Sequence, residues 1–451
     1  MRSNAFFATL AIVLVLSAAR PAVARDSQAA RSSAASRDEE LARLRAEIEL
    51  LVVQQARLES ELNRLLEAQA SRAGQDADAA ALAEIQRLRE ELRKVQEAGS
   101  QAAAALEALS EAERRRVNLT VYGDFQARAF AGEEAIFDGK AFELVMSGQP
   151  HERLSFFAEI ELEQAAAVGE ERGGEVLVEQ AYANLSFAPL ANLRAGILLV
   201  PFGNVNVDHF APRRDVVAKP LVSWVVAPSD WTDNGLGFHG SQLVGSSLLL
   251  SYEAYAIAGL DSEISAYGLR EARQGYGVDN NGNKALVGRL VVDRSGSFEL
   301  GLSGYTGDYD DAGTERLEGL GVHGLANLGP LQLTGEYNSM KAHGQPDQRF
   351  HGYYGRATLD FGRSFLRRTF LGKGFADPRF TLVYQHDWVS AEGLLEGTLT
   401  RTREERDTVG LNFRPSSQWV LKLDYEWNRT DGLTLDRGDR DGFVGAIAFV
   451  F

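Results

Sequence analysis

A cluster of charged residues in segment 201–234 is the feature of this sequence most suited to binding a ligand. Its charged residues are Arg213, Arg214, Lys219, Asp208 and Asp215. If this segment narrows a water-filled passage, its cations select and concentrate anions there. The alternative is that the cations pair with the aspartates or with an acidic wall, so that the segment is only a neutral hinge. The sequence leaves both interpretations open.

Other chemistries have little support in the sequence. The chain contains no cysteine, which excludes disulfides and thiolate metal sites. Its seven histidines are scattered, and the Gly-x-Ser-x-Gly nucleophile motif is absent. The net charge of -16 argues against nucleic acid as a partner. We therefore expect neither an enzyme nor a cofactor or metal site.

Strands are the elements that must position the charged segment, because apolar and polar residues alternate from Val117 onward. The same rule predicts sixteen strands, at 117–130, 139–148, 154–164, 175–187, 192–200, 235–242, 246–258, 285–293, 298–309, 317–327, 331–341, 351–361, 379–388, 407–414, 418–428 and 442–451. The 44 glycines, 23 phenylalanines and 13 tyrosines suit many turns and aromatic girdles. The predicted fold class is an all-β transmembrane barrel of about sixteen antiparallel strands over 117–451.

The connections between these strands alternate between short and long. The long ones include 201–234, 259–284 and 389–406, and one further long and basic connection, 362–378, falls where a tight turn is expected. Short periplasmic turns, long outer loops and an even strand count are typical of bacterial outer-membrane barrels. The last strand carries an apolar face and ends on Phe451, whereas the ends of soluble domains usually fray into water. A soluble sandwich is the alternative, and it does not need sixteen strands.

Lumen-facing positions decide what passes through such a barrel, and here they are mixed in charge. The acidic ones are Asp124, Glu143, Glu159, Glu161, Glu163, Glu253, Glu299 and Glu336. The basic ones are Arg128, Arg194, Arg356 and Lys422. Charges at the narrowest point act in a lower dielectric, while those on a wider wall are screened within about 8–10 Å. We therefore expect a weak preference for anions.

A coiled coil is predicted for residues 38–116. Its first seam follows the 3,4 spacing of a and d positions over Leu41, Leu44, Ile48, Leu51, Gln55, Leu58, Leu62 and Leu65. A break near 70–80 is followed by a second seam in a new phase, formed by Ile85, Leu88, Leu92, Val95, Gly99, Ala102, Leu106 and Leu109. Such a narrow stripe favours self-association, and the alternative is one amphipathic helix lying on another structure.

The first residues have the pattern of an export signal. Arg2 precedes an apolar run at 5–19, and Ala22-Val23-Ala24 is a small-x-small cleavage site. Residues 1–24 are therefore predicted to be a cleaved signal peptide. Residues 25–37, rich in Ser, Ala and Gln, are predicted to be a flexible lead-in.

One region of the barrel resembles a known family. It comprises VEQAYANLSF (178–187), AGILLVPFGNVNVDHFAPRRDVVAKP (195–220) and WTDNGLGFHG (231–240). These segments resemble the phosphate-selective porin O and P family, and the resemblance covers 117–451. It implies a sixteen-stranded trimeric channel with basic residues on its third loop, here matched by Arg213, Arg214 and Lys219.

Two functions from different classes follow from these patterns. The first is an outer-membrane porin that lets small hydrophilic or anionic solutes, phosphate among them, diffuse passively through a homotrimer. The second is a structural tether that links the outer membrane to peptidoglycan or another periplasmic partner through the coiled coil. An open conducting lumen favours the porin, and a filled lumen favours the tether.

Overall fold

The computed structural model describes residues 24–70, 79–114, 117–164, 174–294 and 296–451. The chain divides into two compact units, Met1–Arg116 and Val117–Phe451. The predicted signal peptide therefore lies almost wholly outside the described residues.

The first unit contains two long helices, α1 (Ala24–Ala70) and α2 (Ala79–Arg114). Helix α1 includes residues 25–37, so the structure differs there from the flexible lead-in that the sequence predicts. Most of the predicted break near 70–80 lies outside the described residues. Within the described part of the chain, no helix is both long and apolar enough to cross a membrane.

The two predicted seams pack against each other within one chain. Leu58, Leu88 and Val95 are buried together, and they are flanked by Leu51, Leu62, Leu65 and Leu92. Leu44 and Ile48 are half-buried on the same stripe, whereas the side chain of Leu41 lies outside the described residues. The two seams are symmetric about residue 75. For example, Leu65 and Ile85 are each ten residues from it, and Leu58 and Leu92 are each seventeen residues from it. The helices therefore pair as an antiparallel hairpin, and association of several chains through this seam stays a prediction.

The second unit is a closed antiparallel barrel in which each strand pairs with its sequence neighbours and β1 pairs with β16. Its strands are β1 (Val117–Phe130), β2 (Ile136–His151), β3 (Leu154–Glu163), β4 (Glu175–Ala188), β5 (Ala191–Leu199), β6 (Thr232–Val244), β7 (Leu248–Ile257), β8 (Ala285–Arg294), β9 (Phe298–Asp308), β10 (Arg316–Leu328), β11 (Leu331–Ala342), β12 (Gln348–Phe361), β13 (Arg379–Leu395), β14 (Thr398–Ser416), β15 (Trp419–Asp431) and β16 (Gly442–Val450). The predicted fold class is confirmed. Two short helices lie in connections, α3 (Leu221–Val225) and α4 (Arg363–Leu366).

The connection 389–406 is the largest error in the strand prediction. Strands β13 and β14 run through it to Leu395 and Thr398 and are joined by Glu396 and Gly397, which adopt φ of 47° and 77°. These positive φ values suit a two-residue hairpin turn. The segment TLTRTREER (398–406) is polar on both faces, so it lacks the alternation of a lipid-facing strand.

Alternation places outward and inward residues as predicted. Leu119 and Leu333 are exposed on the outer surface, whereas Ser303 and Lys422 are buried inside the barrel. Because adjacent residues in a strand point to opposite faces, one pair of neighbours tests the orientation of its own strand.

We expect single cysteines to react with a charged maleimide according to parity in the protein reconstituted in lipid. Cysteines at Asn118 and Thr334, on the inner face, should be labelled, while cysteines at Leu119 and Leu333 should be protected by lipid. Labelling rates that do not differ between the two sets would contradict the register. The measurement is the mass shift of each variant.

Candidate pore constriction

The connection between β5 and β6, residues 200–231, is called the third loop here, and it folds into the barrel. Asp424 Oδ2 accepts a hydrogen bond from the Val217 N–H at 2.7 Å, and Asp387 Oδ1 accepts one from the Leu221 N–H at 3.1 Å. Lys422 Nζ donates to the Ala211 carbonyl at 2.8 Å. These wall residues belong to β13 and β15, so the loop crosses to the far side of the lumen.

Two arginines of β14 strengthen this attachment. The Arg414 guanidinium donates to the carbonyls of Pro212 at 2.7 Å and Arg214 at 3.1 Å. Arg406, whose side chain is 0% exposed, donates to the Lys219 carbonyl at 2.5 Å. Charged donors to carbonyls are among the stronger hydrogen bonds in proteins, so the loop backbone is held at several points.

The first turn of the third loop is held by Glu336 of β11. Glu336 Oε2 accepts hydrogen bonds from the N–H groups of Asn204 at 2.8 Å and Val205 at 3.0 Å. Gly203 has a φ of +76°, and a Cβ there would lie 2.3 Å from Glu336 Oε1. Glycine is therefore required in the PFG sequence, because a larger residue meets both backbone strain and a buried carboxylate.

An apolar core fills part of the lumen. Val222, Val225 and Trp231 of the third loop pack there with Leu260 and Leu269 from the connection between β7 and β8. These side chains are all almost fully buried. Burial of this apolar surface, at about 25 cal/mol per Å², stabilises the loop in the barrel in addition to its hydrogen bonds.

Most of the charged residues predicted at the constriction are neutralised. Arg214 Nη2 lies 3.3 Å from Asp124 Oδ2, and Arg414 Nη2 lies 2.9 Å from Asp215 Oδ1. Lys219 forms an ion pair with Asp230 at 2.5 Å. The neutral-hinge interpretation therefore describes Arg214, Lys219 and Asp215.

The pair Arg213 and Asp208 differs from the others because it faces water. The Arg213 side chain is 74% exposed and that of Asp208 is 52% exposed, and the closest atoms of the two groups are 3.6 Å apart. An exposed pair at this separation contributes little to stability, so its charges are available to passing ions. Arg213 is the residue of the predicted set best placed to contact a solute.

Loop ion pairs shift the ionisation of the groups that form them. Burial alone would raise the pKa of Asp230, but the charges of Lys219 and His209 lower it below its ordinary value. Burial alone would likewise lower the pKa of His209, yet its hydrogen bond to Glu179 and the charge of that carboxylate raise it to about 9. Both groups are therefore charged near neutral pH.

The acidic wall predicted from the sequence is mostly covered. Glu159 and Glu161 are buried beside the third loop, and Glu336 is capped by loop N–H groups. Glu404, which the prediction omits, accepts hydrogen bonds from four N–H groups of residues 435–438. Asp124 and Lys422 are buried as well. These residues hold loops in place and have little contact with water in the lumen.

Glu179 is a buried inner-wall residue that strand alternation does not reveal. The β3–β4 pairing shifts register between Glu159 and Ile160, so Glu179 is the extra residue of a β-bulge. A bulge lets two successive residues, here Glu179 and Gln180, turn toward the same face. The adjacent polar residues in VEQAY were the one signal of this departure from alternation.

Half-buried arginines remain on the inner wall. Arg194 and Arg289 lie 3.8 Å and 3.7 Å from the same carboxylate, that of Glu253. Arg128 pairs with Asp138 at 2.9 Å. A cavity of about 310 Å³ at this wall is lined by Asn192, His239, Gly240, Ser241, Ser251, Tyr252, Glu253, Arg289 and Val291. The guanidinium groups of Arg194 and Arg289 thus share the carboxylate of Glu253 beside this cavity.

Arg356 of β12 is the least neutralised of the predicted lining residues. Its guanidinium carbon lies 5.6 Å from the centre of the Tyr354 ring. Among residues that the structure describes, Arg356 forms no ion pair with a carboxylate. Arg356 is therefore a partly buried guanidinium of the inner wall whose Nε has no hydrogen-bond partner among the described residues.

Solved structures with a similar fold include porins. OmpF of Salmonella typhi, in complex with daunomycin, matches 75% of this chain and 99% of its own at 13% identity, with a TM-score of 0.51. The anion-selective porin from Comamonas acidovorans matches 74% of this chain and 100% of its own at 12% identity, with a TM-score of 0.50. These likenesses show the general sixteen-stranded porin fold.

Sequence comparison identifies less about the protein than structural comparison does. No protein-family profile matches the chain. An uncharacterized protein of Aquifex aeolicus is 33% identical over 173 residues, which is 38% of this chain. The chain spans 38% of the length of that relative. The specific resemblance to the phosphate-selective O and P family gains no support from these comparisons.

Proposed function

We propose that the protein is a passive diffusion channel of the bacterial outer membrane with a preference for small anionic solutes. The observation that carries this proposal is the unequal burial of charge inside the barrel. The glutamates beside the third loop are covered, whereas Arg213 is exposed and Arg194 and Arg289 share a single carboxylate. The aqueous face therefore carries fewer accessible carboxylates than the net charge of -16 implies.

Three finer features belong to this proposal. Phosphate is a candidate solute because it is a small anion that guanidinium groups bind in bidentate fashion. A homotrimer is proposed from the resemblance of the barrel to the phosphate-selective family. The helical hairpin is proposed to contact peptidoglycan or another periplasmic partner.

The structural tether remains the second candidate, and the apolar core of the lumen favours it. The inner faces of β13, β14 and β15 are almost fully buried by the third loop and its neighbours. If the same filling continues across the barrel, the protein conducts no ions and serves as an anchor for the hairpin.

We expect the reconstituted protein to conduct ions, with a reversal potential in a KCl gradient that indicates weak anion preference. Arg213→Glu should reduce or invert this preference, and more strongly at low salt, because screening of exposed charges weakens as ionic strength falls. Arg214→Glu is unsuitable for this test because Arg214 is buried against Asp124.

Arg403→Glu is the matched control, since Arg403 lies on the outer face of β14, partly exposed, and pairs with Asp431. It should leave the reversal potential unchanged. Absence of conductance would favour the tether, and cation preference unaffected by Arg213→Glu would show that the acidic residues decide selectivity.

A further inference from the structure

A cluster of metal-ligating side chains lies where the third loop meets the wall. One donor atom each from Glu159 of β3, Glu179 of β4 and His209 of the third loop lie within 4.8 Å of one another. All three residues come from different elements that only the closed barrel brings together. Nothing in the proposed diffusion function uses this cluster.

We propose that Glu159, Glu179 and His209 bind a divalent cation of the zinc class, which ties the third loop to the barrel wall. A donor set of one imidazole and two carboxylates suits Zn²⁺, whereas Ca²⁺ and Mg²⁺ prefer oxygen donors throughout. Zinc places its nitrogen and oxygen ligands at about 2.0–2.2 Å, so modest side-chain rotations bring the three donors into range.

The groups around the imidazole already orient it as a ligand. His209 Nδ1 lies 3.3 Å from the Asn206 carbonyl, and Nε2 lies 3.0 Å from Glu179 Oε2. Asn206 is itself fixed, since its side chain bonds to the Val200 carbonyl and to both backbone groups of Trp231. Metal-binding histidines commonly direct their second nitrogen to a backbone carbonyl in this way.

Glu159 is oriented by a second pair of donors. The Tyr122 hydroxyl donates to Glu159 Oε1 at 3.0 Å, and Gln180 Nε2 donates to Oε2 at 2.6 Å. Each oxygen retains a lone pair, because a carboxylate offers about four acceptor sites. The carboxylate is therefore held in place without being saturated.

Glu143 supplies an independent reason to place a cation here. It is 5% exposed, and its Oε2 has no hydrogen-bond partner among the described residues. Glu143 pairs in register with Glu161 of β3, so both carboxylates share the inner face that carries Glu159. A buried carboxylate oxygen without a partner is costly, and a divalent cation beside it lowers that cost.

The competing explanation is an ion pair between protonated His209 and Glu179. This pair neutralises one carboxylate and leaves the Glu143 oxygen without a partner. The two explanations differ in one measurable respect, because an ion pair needs no metal and a metal displaces the proton from Nε2.

The test uses the full-length protein, folded in detergent, stripped with EDTA and then dialysed against Zn²⁺ at pH 7.5. We expect about one tightly held zinc per chain and a higher unfolding midpoint than in EDTA. His209→Gln and Glu179→Gln should lower the zinc affinity by at least about 100-fold and remove the shift of the midpoint. His343→Gln is the matched control, because His343 forms an exposed pair with Glu318 at 3.3 Å.

Tyr122→Phe keeps the ring and removes only the hydroxyl that orients Glu159, so it tests the site if the other variants fail to fold. Loss of such an orienting group should weaken zinc binding roughly 10-fold. The proposal is overturned if the wild type retains no zinc, or if Tyr122→Phe and His343→Gln bind zinc equally well. It is also overturned if His209→Gln lowers the midpoint by the same amount in EDTA and in zinc. Zinc content is measured independently of conductance, so failure here leaves the diffusion function untouched.

Discussion

Arg406→Met is expected to destabilise the barrel by about 3–5 kcal/mol, because it leaves buried carboxylates without their cation. The Arg406 Nε lies 3.6 Å from Asp387 Oδ2, and Nη1 donates to Asp436 Oδ2 at 2.9 Å. Nη2 also holds the Lys219 carbonyl of the third loop. The substitution therefore removes a buried charge and a loop attachment together.

This result is measured as the urea midpoint of the barrel in detergent and as the rate of trypsin cleavage in the third loop after Arg213, whose side chain is 74% exposed. The midpoint should fall, and cleavage should accelerate, because the loop backbone loses a charged donor. Arg403→Met is the matched control on the outer face of the same strand, partly exposed and 3.9 Å from Asp431. It should change stability by no more than about 1 kcal/mol. Equal midpoints for the two variants would show that Arg406 does not secure the loop.

A second large effect is expected in the helical hairpin. Leu58→Asp combined with Leu88→Asp places two carboxylates in the buried seam between α1 and α2. Burying an unpaired charge costs several kcal/mol, and isolated helices have little stability in water without packing. We expect the hairpin to unfold, with a loss of most of the helical circular dichroism signal.

Leu50→Asp combined with Leu82→Asp is the control, since these leucines are 68% and 42% exposed. That variant should retain the helical signal. The strand signal should persist in both variants, because the hairpin and the barrel are separate compact units. Retention of helix in the seam variant would contradict the packing of the two seams within one chain.

Local patterns in the sequence were enough to predict the barrel and the helices. In a strand between lipid and water, polar and apolar residues must alternate, so Asn118 marks the inner face and its neighbour Leu119 marks the outer face. In a helix that buries one stripe, apolar residues must recur every three or four positions, and this spacing placed Leu51, Leu58 and Leu62 on a seam. Both requirements act between residues a few positions apart. The strand count therefore follows from periodicity, and the fold class follows from periodicity together with the lengths of the connections.

Periodicity does not predict every feature of a single strand or helix. The polar extensions of β13 and β14 show no alternation of lipid-facing type, because the demand for an apolar face ends where lipid ends. Glu179 occupies a bulge, whose position depends on the partner strand. The two helical seams were each predicted, but their sequence could not say whether a partner lay in the same chain or in another.

The state of charge inside the barrel was decided by the tertiary structure alone. The pairing of Asp124 with Arg214, and of Asp215 with Arg414, joins residues 90 and 199 positions apart. Ion pairs over such distances depend on where the third loop lies, and no local pattern records that. The sequence therefore determined that charged residues occur on the loop and the wall. The folded barrel decided that most of them neutralise one another and that Arg213 faces water, because burial of a charge requires a partner and exposure does not.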